Sequence, residues 1–202
     1  MAKDKRSKPS PEPHAVVAAA AAGKLPKWAV CGKRRRAHMK RVSDLMGEWA
    51  EQLGLDAYEV VRWRAAGMLH DALREASPSK LRPLVPPRRR ALPPKAYHGP
   101  AAATLLARDG VEDTELLHAI RWHTLGSRNF RRLGRALYAA DFLEPGRRSR
   151  RRWREGLRGR ASRNLDRVLR EIVANKIDYL LRAEMPVSRR TVRFWNSLVD
   201  DP

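Results

Sequence analysis

An all-α fold is predicted by three features of the chain. Apolar residues recur at spacings of three and four from Arg34 onward, no stretch alternates polar and apolar residues as a strand does, and prolines and glycines fall between the helical runs. The expectation is a compact helical bundle carrying a disordered basic N-terminal extension. At 202 residues, 43% of them hydrophobic, the chain supports one core rather than two full domains. The division this suggests is an extension over residues 1–30 and a single domain over residues 31–202.

Taken in order, residues 1–30 mix Lys, Pro, Ser and Ala without usable periodicity, which predicts disorder. His38, Val42, Leu45, Trp49 and Leu53 then mark one face of a helix that Gly54 ends. A second helix is predicted from Ala57 to Glu75, burying Val60, Val61, Met68 and Leu69. Six prolines between Ser77 and Ala96 exclude a long regular helix there, and a loop of that length is more often functional than incidental. Pro100 suits the first turn of a helix from about Gly99 to Gly110, and Asp113 suits the N-cap of the next, with Leu116, Leu117 and Ile120. Further helices are predicted over Leu133–Leu143 and, as the longest amphipathic one, through Leu165, Leu169, Ile172 and Leu180, with Ser188 capping the last.

Composition narrows the function classes. A single cysteine, Cys31, excludes an intramolecular disulfide and any cysteine-rich zinc site, and fits a reducing cytoplasm. The run from Ala15 to Ala22 after Lys3, Lys5 and Arg6 looks superficially like a secretion signal, but alanine and the neighbouring prolines make it too weakly apolar for export or membrane insertion. The net charge of +21 is localised: residues 1–36 carry ten Lys and Arg against two acids, residues 82–95 five against none, and residues 146–163 nine against one. The remaining chain is neutral. Such segments attract polyphosphate or nucleic acid through a salt-screened field, which leaves non-specific nucleic-acid contact, or an RNA- or ribosome-associated role, as a reading from another class.

The chemistry concentrates in histidines beside breaks in the helical pattern. His70 and Asp71 lie together in AGMLHDALRE, His98 opens HGPAAATLL, His123 lies in AIRWHTLGS, Asp141 lies in LYAADFLEPGR, and His38 falls on the apolar face of its helix. Any one of these is most simply a hydrogen-bonded core histidine, and an isolated His-Asp pair arises often by chance. Several ionisable groups on apolar faces are harder to dismiss, because each must be paired, hydrogen-bonded or metal-bound. Imidazole and carboxylate donors suit iron, manganese, cobalt or zinc.

The ordered set His38, His70–Asp71, His98, His123 and Asp141 resembles the HD-domain superfamily, and within it the YqeK branch of symmetrical diadenosine tetraphosphate hydrolases. The resemblance runs from about Arg35 to Leu198 and includes the ADxxEPxR pattern at Asp141, Glu144, Pro145 and Arg147 and the closing segment from Asn175. It implies that His38, His70, Asp71 and Asp141 hold one divalent metal and His98 and His123 a second, with Asp71 bridging, His70 and Asp71 at the catalytic centre, and iron as the native metal. Two adjacent cations lower the pKa of a bridging water and clamp a phosphoryl group for in-line attack. The implied substrate is a dinucleoside polyphosphate, with another nucleotide or phosphodiester as the alternative. Arg74, four residues after His70, and Arg147 are candidate phosphate clamps; Thr124 is a candidate hydrogen-bonding neighbour, and Trp122 a candidate adenine-stacking ring. His118 and His14 have no assigned role. Met39, where the family pattern has a small polar residue, and the unusually basic segments 82–95 and 147–154 put substrate preference in doubt without removing a ligand.

Overall fold

The computed structural model describes residues 12–200, and among these there is no strand. The helices are α1 (Ala15–Ala21), α2 (Lys33–Gln52), α3 (Ala57–Leu69), α4 (Pro78–Leu81), α5 (His98–Arg108), α6 (Thr114–Trp122), α7 (Arg132–Leu143), α8 (Arg151–Ala161), α9 (Leu165–Arg182) and α10 (Arg189–Val199). The all-α expectation holds. No helix among the described residues is long and apolar enough to cross a membrane.

α7 is the central element, touching α2, α3, α6, α8 and α9. Its Leu133, Ala136, Leu137, Ala140 and Leu143 are buried in a core shared with Trp63, Leu69, Leu106, Ile120 and Ile172. The predicted caps are present: the Asp113 side chain accepts from Leu116 N at 2.9 Å, and Ser188 from Arg190 N at 3.3 Å. The proline-rich stretch folds as α4 and three 3₁₀ turns at Arg82–Leu84, Pro87–Arg89 and Pro94–Ala96, with prolines in first turns where the missing N–H costs nothing.

Three expectations need correction, and one stretch left unassigned is folded. The second helix ends at Leu69, not Glu75, because the chain beyond it tightens into i→i+3 bonds, Ala72 N to Leu69 O at 3.2 Å and Arg74 N to Asp71 O at 2.9 Å. The longest helix is α2, with 20 residues against 18 for α9. The basic stretch after Arg147 is partly helical: arginine is a good helix former, and Trp153, Leu157 and Ala161 supply an apolar stripe at i, i+4, i+8. Two of its cations are structural, since Arg154 and Arg158 donate to the terminal carbonyls of α7 at Phe142 and Leu143.

The third correction concerns the boundary near residue 30. The expected disorder of residues 1–11 lies outside the described residues, but residues 12–30 are folded onto the domain. His14 caps α1, with Nδ1 accepting from Val16 N at 3.3 Å, and α1 buries Val17 and Ala20 against α3. Trp28 Nε1 donates to Asp109 at 2.7 Å, Val30 N donates to Ala72 O at 2.7 Å, and Gly32 N donates to Glu75 at 2.6 Å. An alanine-rich run has little amphipathic signal, so only packing reveals its buried face.

Two glycines set the helix spacings. A Cβ on Gly67 of α3 would lie 2.5 Å from Ser43 Cα of α2, and one on Gly99 of α5 would lie 2.8 Å from Ile120 O of α6. Backbone contact this close draws α3 onto α2 and α5 onto α6. Gly67→Ala is therefore expected to cost about 2 kcal/mol of stability despite its better helix propensity, because no flexible side chain can give way. Val17→Asp is expected to cost about 3 kcal/mol by burying an unpaired charge. Urea denaturation checks both; an unchanged midpoint would mean that the α2–α3 contact relaxes, or that α1 detaches without consequence.

Candidate metal centre

The close helix pairs deliver histidines in pairs. α2 and α3 bring His38 and His70 together with ring centroids 5.4 Å apart, while α5 and α6 bring His98 and His123 to 4.9 Å. Asp71 sits between the pairs. Its Oδ1 lies 3.2 Å from His98 Nε2 and 3.4 Å from His123 Nε2. Its Oδ2 lies 3.7 Å from His38 Nε2 and 3.6 Å from His70 Nε2. From α7, Asp141 Oδ1 reaches His38 Nε2 at 3.2 Å and His70 Nε2 at 3.8 Å. All six residues singled out as ligands thus converge, and their donor atoms form overlapping groups of three.

The local backbone explains the orientation of the rings. His70, His98 and His123 each stand at a helix terminus, and each points Nδ1 at a backbone carbonyl three residues earlier: Gly67 O at 2.8 Å, Lys95 O at 3.0 Å and Ile120 O at 2.8 Å. A carbonyl only accepts, so Nδ1 must carry the proton in each ring. The Nε2 of a neutral ring is then a bare lone pair aimed at Asp71. His38 differs, with Nδ1 held by the Glu144 carboxylate at 3.3 Å. Arg41 and Gly146 N fix Glu144 in turn, at 2.5 Å and 2.7 Å. This chain of partners around ligands is how metal-binding imidazoles are held in register.

A metal fits this arrangement better than the protein alone does. Nε2 of His38 and of His70 are buried without a hydrogen-bond partner. Nε2 of His98 and of His123 face each other at 3.0 Å while both Nδ1 protons are committed elsewhere, so two lone pairs oppose one another unless a positive charge lies between them. Burial alone would raise the Asp71 carboxyl, but positive charge shared with His70, His123 and His98 outweighs it and holds the group well below the usual carboxylate range. Burial pushes His70 down to about 4, leaving it neutral and able to coordinate. Burial also lowers His98. For Glu144, burial opposes ionisation but hydrogen bonds from His38 and Arg41 bring it to about 2.

The other predicted residues are distributed unevenly. Thr124 is at the centre, its Oγ1 3.2 Å from His98 Nε2 and 3.1 Å from His123 Nε2, with its carbonyl held by Lys176 Nζ at 2.5 Å. Arg147 is there too, its Nη2 3.0 Å from Asp141 Oδ1. Arg74 is exposed and makes no ion pair among the described residues, and its charge reaches His98. Its placement follows from the turn after α3 rather than from a shared helix face with His70. The stacking reading of Trp122 is corrected: the ring is only 5% exposed and carries the Arg190 guanidinium 3.5 Å from its centroid. Met39 is a core residue, as its position on α2 requires. Sequence reasoning missed Arg35, whose Nη1 donates to Asp71 Oδ2 at 2.6 Å, and the orienting role of Glu144, for which ADFLEPGR was the only signal.

This arrangement of helices with clustered histidines and aspartates fits an HD domain, and a family profile of that description matches residues 35–183. The chain belongs to the HD-domain family of hydrolases. Among characterised proteins it is similar to the symmetrical bis(5'-nucleosyl)-tetraphosphatase of Bacillus subtilis, with 27% identity over 83% of this chain and 90% of the relative. The protein of the same name from Staphylococcus aureus is 27% identical over 79% and 84%, respectively. That from Halalkalibacterium halodurans is 31% identical over 50% and 54%. Among solved structures, a predicted HD superfamily hydrolase described as involved in NAD metabolism, from Clostridium acetobutylicum, superposes with a TM-score of 0.75 at 25% identity, covering 85% of this chain and 92% of that one.

Glu144→Ala is expected to lower metal retention about 10- to 100-fold by freeing the His38 ring. Metal content after dialysis, measured by mass spectrometry, checks this. Unchanged retention would show that His38 needs no such partner.

Proposed function

We propose that this chain hydrolyses diadenosine tetraphosphate symmetrically to two molecules of ADP, using two divalent metal ions. The observation that carries the reading is Asp71, with one carboxylate oxygen turned to each histidine pair. The names of the three relatives supply the substrate class. His38, His70, Asp71 and Asp141 would hold one ion, and Asp71, His98 and His123 the other. The donor set suits iron, manganese, cobalt or zinc, and we place iron first. When bound, such a pair supplies Lewis-acid stabilisation and a nucleophile drawn from water near neutral pH.

The chain's own residues supply positioning and charge. Water oxygen bonds to an inner phosphorus, the bridging P–O bond on its far side breaks, and the leaving oxygen departs on ADP; one water is consumed and the second ADP holds the new oxygen. Arg74, a guanidinium without an ion-pair partner among the described residues, receives one end of the anionic chain. Arg147, 43% exposed while touching Asp141, offers a second contact. Arg35 steadies Asp71 from α2, and the Thr124 hydroxyl fixes the His98–His123 pair. The tautomers set by Gly67, Lys95 and Ile120 leave Nε2 as the ring atom free to coordinate.

Ion-exchange analysis of products from anaerobically purified protein tests the reading. ADP alone is expected, with no turnover in Asp71→Ala; ATP plus AMP would refute symmetrical cleavage, and efficient turnover of another nucleotide or a cyclic phosphodiester in its place would move the substrate within the family. Arg74→Ala is expected to lower kcat/KM about tenfold or more with metal content unchanged. Unaltered kinetics would return Arg74 to the ordinary surface.

A further inference from the structure

A second cationic site lies on the other side of α6. Arg88 and Arg89 from the 3₁₀ turn at Pro87–Arg89, Arg121 and Trp122 from α6, and Arg190 from α10 line a cavity of about 440 Å³, together with His118. No acidic residue lines it. None of its four arginines forms a salt bridge among the described residues, whereas Arg62, the buried arginine of α3, is paired with Glu59, Asp113 and Glu115. Arg121 Nε is buried with no hydrogen-bond partner. Arg190 and Arg89 are arrayed over the Trp122 ring, at 3.5 Å and 5.5 Å from its centroid. Burial and repulsion from neighbouring arginines lower Arg89, Arg121 and Arg190 below the ordinary arginine value.

Cations are costly to gather out of water without a counter-charge. Nothing described in this protein supplies one, and a ligand of several closely spaced negative charges would. Guanidinium forks match phosphate oxygens in pairs, and the Trp122 face holds two of them in place. None of the six metal-cluster residues lines the cavity, and Arg121 leaves α6 about 200° around the axis from His123.

We propose that this cavity is a second binding site, separate from the metal centre, that takes an oligophosphate chain, either free or carried by a nucleotide. The inference does not rest on the reaction proposed above.

Calorimetric titration of the full chain with inorganic tripolyphosphate, and separately with ATP, at about 150 mM salt tests it. Both titrations are repeated in an Asp71→Ala background, which removes the metal centre. One ligand per chain is expected in the Asp71→Ala background, and wild-type protein keeps this site in addition to any binding at the metal centre; the cavity variants are compared in the Asp71→Ala background. Arg121→Gln with Arg190→Gln is expected to weaken binding about tenfold or more, and Arg88→Gln alone, in an exposed turn where folding is not at stake, about threefold. Arg148→Gln with Arg152→Gln, an equal loss of charge on a distant exposed segment, should leave affinity unchanged. ATP binding much more tightly than tripolyphosphate would identify a nucleotide as the source of the phosphates; equal affinities would identify the chain alone. Unchanged binding in the cavity variants, equal weakening by the distant pair, or loss of binding in Asp71→Ala would overturn the proposal.

Discussion

One carboxylate has to be held, ionised and dry, between four imidazoles, and much of the helical framework serves that requirement. Asp71 is almost fully buried, and its two oxygens are divided between the His38–His70 and His98–His123 pairs. A carboxylate so placed is stable only if the charge around it is favourable and its position is not free to drift. Arg35 meets the first condition, and a cation between the imidazole lone pairs would complete it. The backbone meets the second: the turn after α3 is pinned from the N-terminal side by Val30 on Ala72 and Gly32 on Glu75. The segment that looks most expendable in sequence therefore reaches to within a residue of the central carboxylate.

Symmetry of purpose extends to the helix pairs. Gly67 and Gly99 perform the same service at two places, letting one helix touch the backbone of another so that histidines from different elements meet. Three of the four rings are then fixed by carbonyls of their own helical turns or loops, which sets the tautomer without requiring a distant partner. His38, in mid-helix, has no free carbonyl nearby because those of α2 are spent on the helix itself, and it relies on Glu144. That difference explains why an acidic residue three positions after Asp141 belongs to the site.

The helices and the residues that converge around Asp71 are legible in sequence for the same reason: both leave local traces. Periodic apolar residues mark α2, α6, α7 and α9, and polar, metal-capable side chains on those apolar faces stand out against them. What was illegible depends on distance. Arg35 meets Asp71 across 36 residues and Arg41 meets Glu144 across 103, and an arginine in a basic sequence gives no hint which one will be paired. α1 is alanine apart from Val16 and Val17, so its buried face has little contrast with its exposed one. α8 was hidden by arginines, two of which cap α7 rather than face a ligand. Trp122 was noticed for its neighbour His123, yet one residue along a helix turns a side chain by about 100°, and the ring looks into a different cavity.

The most direct test of the central claim is anomalous diffraction from crystals of the metal-loaded protein. Two peaks are predicted about 3.5–4 Å apart, one beside His38, His70 and Asp141 and the other beside His98 and His123, with Asp71 touching both. A single peak, or a pair in which Asp71 contacts only one ion, would contradict the account of Asp71 as the bridge.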